Sequence, residues 1–153
     1  MFKNYIENKK HNLDEEYMKI ALSQAEESKS RGDIARGACL SLHGSHVAEG
    51  NTVLSDHNPL NHEVMNVLKK AESKNLKECI LYCTVEPCSM CVSAAHQFGI
   101  REIVFGAFDK KDGFLSSPKK IDAESFDVVY IGGVLAESCY AINSPTMRES
   151  LYV

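Results

Sequence analysis

Residues 79–99 read C-I-L-Y-C-T-V-E-P-C-S-M-C-V-S-A-A-H-Q-F-G, and this stretch decides the fold class. Cys79–Thr84 is a short apolar run of the kind that fills a strand covered on both faces. Pro87 follows it. A fixed φ and a missing N–H suit proline to the first turn of a helix. That helix is expected over Cys88–Phe98, with Gly99 as its stop. Beyond the stop, Glu102–Gly106 reads as another strand, so a strand, a helix and a strand follow in close order.

Working outward, Val64, Val67, Leu68 and Ala71 fall on one face of a helix expected over His62–Lys74. It is entered from a turn-rich loop, Asp56–Asn61, that contains Asn58-Pro59. Before the loop, Ala35–Leu42 and Val47–Leu54 read as strands joined through His43-Gly44-Ser45-His46, a hairpin pattern. Met18, Ala21, Leu22 and Ala25 recur at helical spacing within a first helix over Leu13–Ser30. Asn12 and Glu15 are spaced as a capping box. Downstream, Val128–Ile131 reads as a strand and Val134–Ala141 as a helix broken by Pro145, with a short helix in Pro145–Val153. The alternation predicts an α/β layered domain, its opening hairpin contributing one antiparallel pair to a mostly parallel sheet.

Composition narrows the class further. With 153 residues and 44% hydrophobic content, one domain spanning 1–153 can bury its own core. Nothing approaches the roughly 18 apolar residues of a membrane helix. Met1–His11 is polar and lysine-rich with no apolar run after it, so no secretory leader and a cytoplasmic address are expected. Lys plus Arg is 17 against 21 Asp plus Glu, a net charge of −4. That balance weighs against a nucleic-acid face, although a local patch stays compatible with it. Six cysteines without a leader point to free or metal-bound thiols rather than disulfides.

Cys88-Ser89-Met90-Cys91 carries the chemistry. Two thiols one helical turn apart at a helix start have lowered pKa values and can grip one zinc ion. His62, at the start of its own helix, is the best third ligand. No second Cys-x-x-Cys exists, so a zinc held by one His and two Cys would keep a place for water. A redox pair and a pair of inert core thiols are the competing readings of the motif. Taken alone, His62 reads more readily as a helix-start residue. Cys39, Cys79, Cys83 and Cys139 stand singly in apolar surroundings and read as core thiols. Lys110, Lys111, Lys119 and Lys120 form a modest basic cluster.

Three stretches make the chain resemble the cytidine-deaminase-like superfamily of zinc deaminases: N-P-L-N-H (58–62), V-E-P-C-S-M-C (85–91) and R-E-I-V-F-G-A (101–107). The form E-P-C-x-M-C is similar to the branch of tRNA adenosine deaminases and guanine deaminases. The resemblance runs from about residue 14 to 141. It implies a three-layer α-β-α sandwich around a mixed sheet of about five strands. It also implies Zn²⁺ held by His62, Cys88 and Cys91, with water in the fourth place. Asn51 would bind the base. The substrate would be a nucleobase or nucleoside, purine-type or adenosine in tRNA, losing an exocyclic amine as ammonia. The acidic net charge tilts toward the small molecule. A homodimer, or a heterodimer with an active relative, is expected by the same resemblance.

One position departs from the pattern. The family's chemistry places a proton-carrying Glu two residues after the zinc His, and here that residue is Val64. Two alignments compete: His62 as ligand with Val64 at the carrier position, or Glu63 as carrier with Asn61 at the ligand position. The first keeps Pro59 and Asn51 in register and resembles the silent subunit of eukaryotic tRNA adenosine deaminase, which also carries H-x-V. Glu63 beside a retained His62 is a weaker carrier, since adjacent helical residues point about 100° apart. Glu86 is another acid near the site. An active deaminase, a zinc-bearing pseudo-deaminase that serves as a partner subunit, and a metal-free α/β protein follow as alternatives.

Overall fold

A computed structural model describes residues 5–7, 12–72, 75–119, 122 and 126–143. The elements are β1 (Tyr5–Glu7), α1 (Asn12–Ser30), β2 (Gly37–Leu42), β3 (Ser45–Gly50), α2 (Glu63–Lys70), β4 (Ile80–Val85), α3 (Ser89–Gln97), β5 (Glu102–Ala107), β6 (Val129–Gly132) and α4 (Ala136–Ala141). One mixed sheet runs in the order β1-β6-β5-β4-β2-β3. The five expected strands are all present, and β1 adds a sixth. The short helix expected in Pro145–Val153 lies outside the described residues.

Strand alternation splits the core in two. Leu40, Leu81, Cys83, Ile103 and Phe105 face α2 and α3. Cys39, Tyr82, Val104 and Ile131 face α1 and α4. Successive side chains on a strand point to opposite faces, so near-continuous apolar strands require helices on both sides. The three-layer sandwich is the result. Glycine lets α1 lie directly on β2 and β3. A Cβ on Gly37 would strike the Ala21 carbonyl oxygen, and one on Gly50 would strike the Ser28 hydroxyl.

The hairpin differs in detail from the sequence expectation. Leu42 pairs directly with Ser45, so the turn is only His43-Gly44, both at positive φ (44° and 88°), a mirror-image turn that matches strand twist. Strand β3 stops at Gly50 rather than Leu54. There the Asn51 side chain accepts the Val53 N–H at 3.1 Å and bends the chain into turns.

Chain direction places the site. Strand β3 is antiparallel to β2 and β2 antiparallel to β4, so β3 and β4 run the same way. Both deliver their carboxyl ends to one edge of the sheet, and α2 and α3 start there side by side. In open α/β sheets that edge is where ligands bind.

Candidate metal centre and its cleft

His62 is the N-cap of α2 and Cys88 the N-cap of α3, both in extended conformation. Cys91 lies one turn into α3. The His62 Nδ1 atom stands 3.6 Å from Cys88 Sγ and 3.5 Å from Cys91 Sγ. Ligand atoms of all three lie within 4.8 Å of one another. With bonds of about 2.05 Å to nitrogen and 2.3 Å to sulfur, a tetrahedral angle separates N and S by about 3.55 Å. The three residues are therefore positioned to bind a metal ion. The motif's redox reading pairs two cysteines alone; here an imidazole completes the group.

Electrostatics fit the same donor set. The Cys88 thiol is pulled down to about 4, first by its hydrogen bond with Cys91 and, against the cost of burial, by His62. Sharing that proton holds the Cys91 thiol well above its usual range, with burial adding to it. The bond with Cys88 raises His62, and the nearby Glu63 carboxylate helps. Elsewhere burial pushes the Cys39 and Cys139 thiols up to about 12, as expected of core thiols.

A cleft of about 790 Å³ opens over His62 and Cys88. Ile34, Pro59, Leu60 and Met90 give it apolar walls, and Arg36, Asn51, Asp109, Lys111, Asp112 and Lys119 give it polar ones. Asn51 is 2% exposed. Its carbonyl accepts from Ser28 Oγ at 2.9 Å and its Nδ2 donates to Glu63 Oε1 at 3.4 Å.

The Asn61 side chain bonds Asp56 and Lys69, and it is His62 that stands with the two thiols. Val64 is 0% exposed and packs in the α2–α3 core. Glu63, in the first turn of α2, is 3% exposed, accepts from Asn51, and its charge reaches His62 and Cys91. Glu86 is spent on structure. It accepts from the Asp109, Leu115 and Ser116 N–H groups and from Ser116 Oγ, and so pins loop 108–117, one wall of the cleft. Burial raises its pKa and these donors pull it back. Asp56 and His57 are exposed outside the cleft lining.

Arg36 and Asp109 were not legible as site residues. They lie 73 residues apart and meet only in the fold, Arg36 Nη2 to Asp109 Oδ2 at 3.1 Å. A charged residue in the apolar run Ala35–Leu42 was the one available signal. Of the described lysines of the cluster, Lys111 and Lys119 reach the cleft.

Comparison with known proteins agrees with this geometry. Residues 11–107 match the family model of the cytidine and deoxycytidylate deaminase zinc-binding region. The chain is 31% identical over 144 residues to a tRNA-specific adenosine deaminase of Bacillus subtilis, covering 89% of each chain. It is also 31% identical over 141 residues to a cytosine deaminase of Candida albicans, covering 89% of this chain and 90% of that one. A structure from studies of A-to-I editing by tRNA:A34 deaminases superposes with a TM-score of 0.72 at 26% identity, covering 83% of this chain and 98% of the other. A guanine deaminase of Nitrosomonas europaea shares the fold, with a TM-score of 0.72 at 19% identity over 91% of this chain and 85% of that one.

Proposed function

Because the chain belongs to the cytidine and deoxycytidylate deaminase zinc-binding family, we propose that it hydrolytically deaminates a purine-type base, free, in a nucleoside or as adenosine in tRNA. The observation that carries this reading is the meeting of His62, Cys88 and Cys91 beneath a cleft that also holds Asn51.

A zinc ion bound by the three residues would supply Lewis acidity that brings the pKa of a water toward about 7. The chain's own residues do the rest. Two helix N-termini favour the thiolate form of the ligands. Asn51, fixed through its carbonyl and its side chain, offers its second Nδ2–H to a ring nitrogen or oxygen of the base. Ile34, Leu60 and Met90 give the base apolar contact. Glu63 is the buried acid that supports the proton-carrier role: it accepts a proton from water and returns it to the departing amine. The net change replaces a C–NH2 bond with C=O, consuming water and releasing ammonia.

A second reading rests on Val64. No carboxylate stands two residues after His62, and Val64 is held in the core. In that reading the protein is a zinc-bearing partner subunit, paired with a second copy or with an active relative.

Ammonia release from bases, nucleosides and a tRNA anticodon stem-loop separates the two. The first reading expects turnover that Glu63→Gln lowers by about 10²–10⁴. Absence of turnover in the native chain, with activity gained on Val64→Glu, would replace it by the second.

A further inference from the structure

We propose that Arg36 is a ligand-binding residue of the cleft and that the ligand it selects carries a phosphate group. This deepens the proposed function, on which it rests.

Arg36 lines the cleft together with Asn51 and His62, and its backbone carbonyl accepts the Asn51 N–H at 2.9 Å. It thus sits beside the residue proposed to hold the base. Its side chain is only 18% exposed, so the guanidinium is desolvated, and a desolvated charge needs acceptors. The acceptor it has is incomplete. Asp109 Oδ1 is already taken by the N–H groups of Lys111 and Asp112, both at 3.0 Å. Only Asp109 Oδ2 remains, and it receives a single bond from Nη2. The Nε–H is shut off from solvent with no acceptor among the described residues. A guanidinium offers a planar fork that matches two oxygens at once, and Asp109 fills one prong.

The surrounding charges favour an anion. Of the cleft's cations, Arg36 is paired with Asp109 and Lys119 with Asp112. Lys111 has no side-chain partner among the described residues, so the three cationic side chains of the lining outnumber its two carboxylates, on a chain of net −4. A base alone offers no anionic group. A nucleotide does, and it extends from its base by the length of a sugar. Phosphate could come from a mononucleotide or from the backbone of an RNA strand; the chemistry at Arg36 is the same.

Equilibrium binding to the zinc-loaded protein tests this without relying on turnover. The probes are a purine base, its nucleoside, its 5′-mononucleotide, a short oligoribonucleotide and inorganic phosphate. The mononucleotide or the oligonucleotide is expected to bind about tenfold or more tightly than the nucleoside, with salt weakening that difference. The better of the two identifies the source. Arg36→Gln, which keeps one donor for Asp109, should reduce the ratio to near one and leave base affinity in place. Arg36→Lys should keep part of it, as a point charge without the fork. Equal binding of nucleoside and nucleotide, or a ratio unchanged in Arg36→Gln, overturns the proposal with the deaminase reading intact. Phosphate binding that depends on Arg36, with no affinity for any base, would instead uphold the anion site and overturn the deaminase reading.

Discussion

Glu86→Gln tests how the cleft wall is held. The native carboxylate takes two bonds on each oxygen: Leu115 N–H at 2.7 Å and Ser116 N–H at 2.9 Å on Oε2, Asp109 N–H at 3.3 Å and Ser116 Oγ at 2.6 Å on Oε1. Glutamine keeps one acceptor oxygen and must turn its NH2 toward one pair. The less harmful choice faces Ser116 Oγ, which can rotate to accept, and the Asp109 N–H, which cannot. One charge-assisted bond is lost, worth about 1.5–3 kcal/mol, and one buried N–H is left unpaired, at about 1–3 kcal/mol. Removing a buried charge returns part of this, because burial already disfavours the ionised form. A net loss of about 2–4 kcal/mol corresponds to a fall in Tm of roughly 5–15 °C for a chain of this size. Thermal unfolding followed by circular dichroism measures it. Limited proteolysis should show cleavage within 108–117 before the rest of the chain yields. A Tm within about 1 °C of the parent and an uncut loop would show that Glu86 does not hold the cleft wall.

Two further outcomes follow from named groups. Asp33 ties the end of α1 to the loop that leads to His62, accepting from the N–H groups of Leu54 and Ser55, from Ser55 Oγ and from Arg31. Burial alone would raise its pKa, yet these donors together hold it below the usual carboxylate range. Its stabilisation is therefore complete above about pH 4, the unfolded value, and is lost as pH falls through the lower folded value. Asp33→Asn should cost about 1–2 kcal/mol at pH 7, with the gap to the parent closing in acid, as urea titrations at several pH values would read. In metal-free protein, iodoacetamide at pH 6 should alkylate Cys88 first, since its thiol sits at about 4, and spare Cys39 and Cys139, held near 12. Mass spectrometry reads the site, and zinc should protect it. Uniform labelling would contradict the assigned environments.

The legible parts of this molecule were local. Pro87 with Cys88 and Cys91 announced a helix start with two thiols, and the apolar runs at 79–84 and 102–106 announced buried strands. Longer-range features left no such mark. Strand β1, Tyr-Ile-Glu, is three residues long in a polar segment and exists through its parallel pairing with β6, more than a hundred residues away. Strand β3 ends at Gly50 although Val53 and Leu54 continue its apolar pattern, because the Asn51 side chain interrupts it. The burial of Glu63 left no mark either, because its sequence position says nothing of Asn51, whose amide donates to it. The Arg36–Asp109 pair needed the full crossover from β2 to the loop after β5.

Deaminase activity is tested most directly by ammonia release from the protein carrying about one zinc per chain, measured across purine bases, their nucleosides and a tRNA anticodon stem-loop. Ammonia is expected in step with loss of the amino base, and is expected to disappear in Cys91→Ser. A fully zinc-loaded protein that releases ammonia from none of them would contradict the proposed deamination.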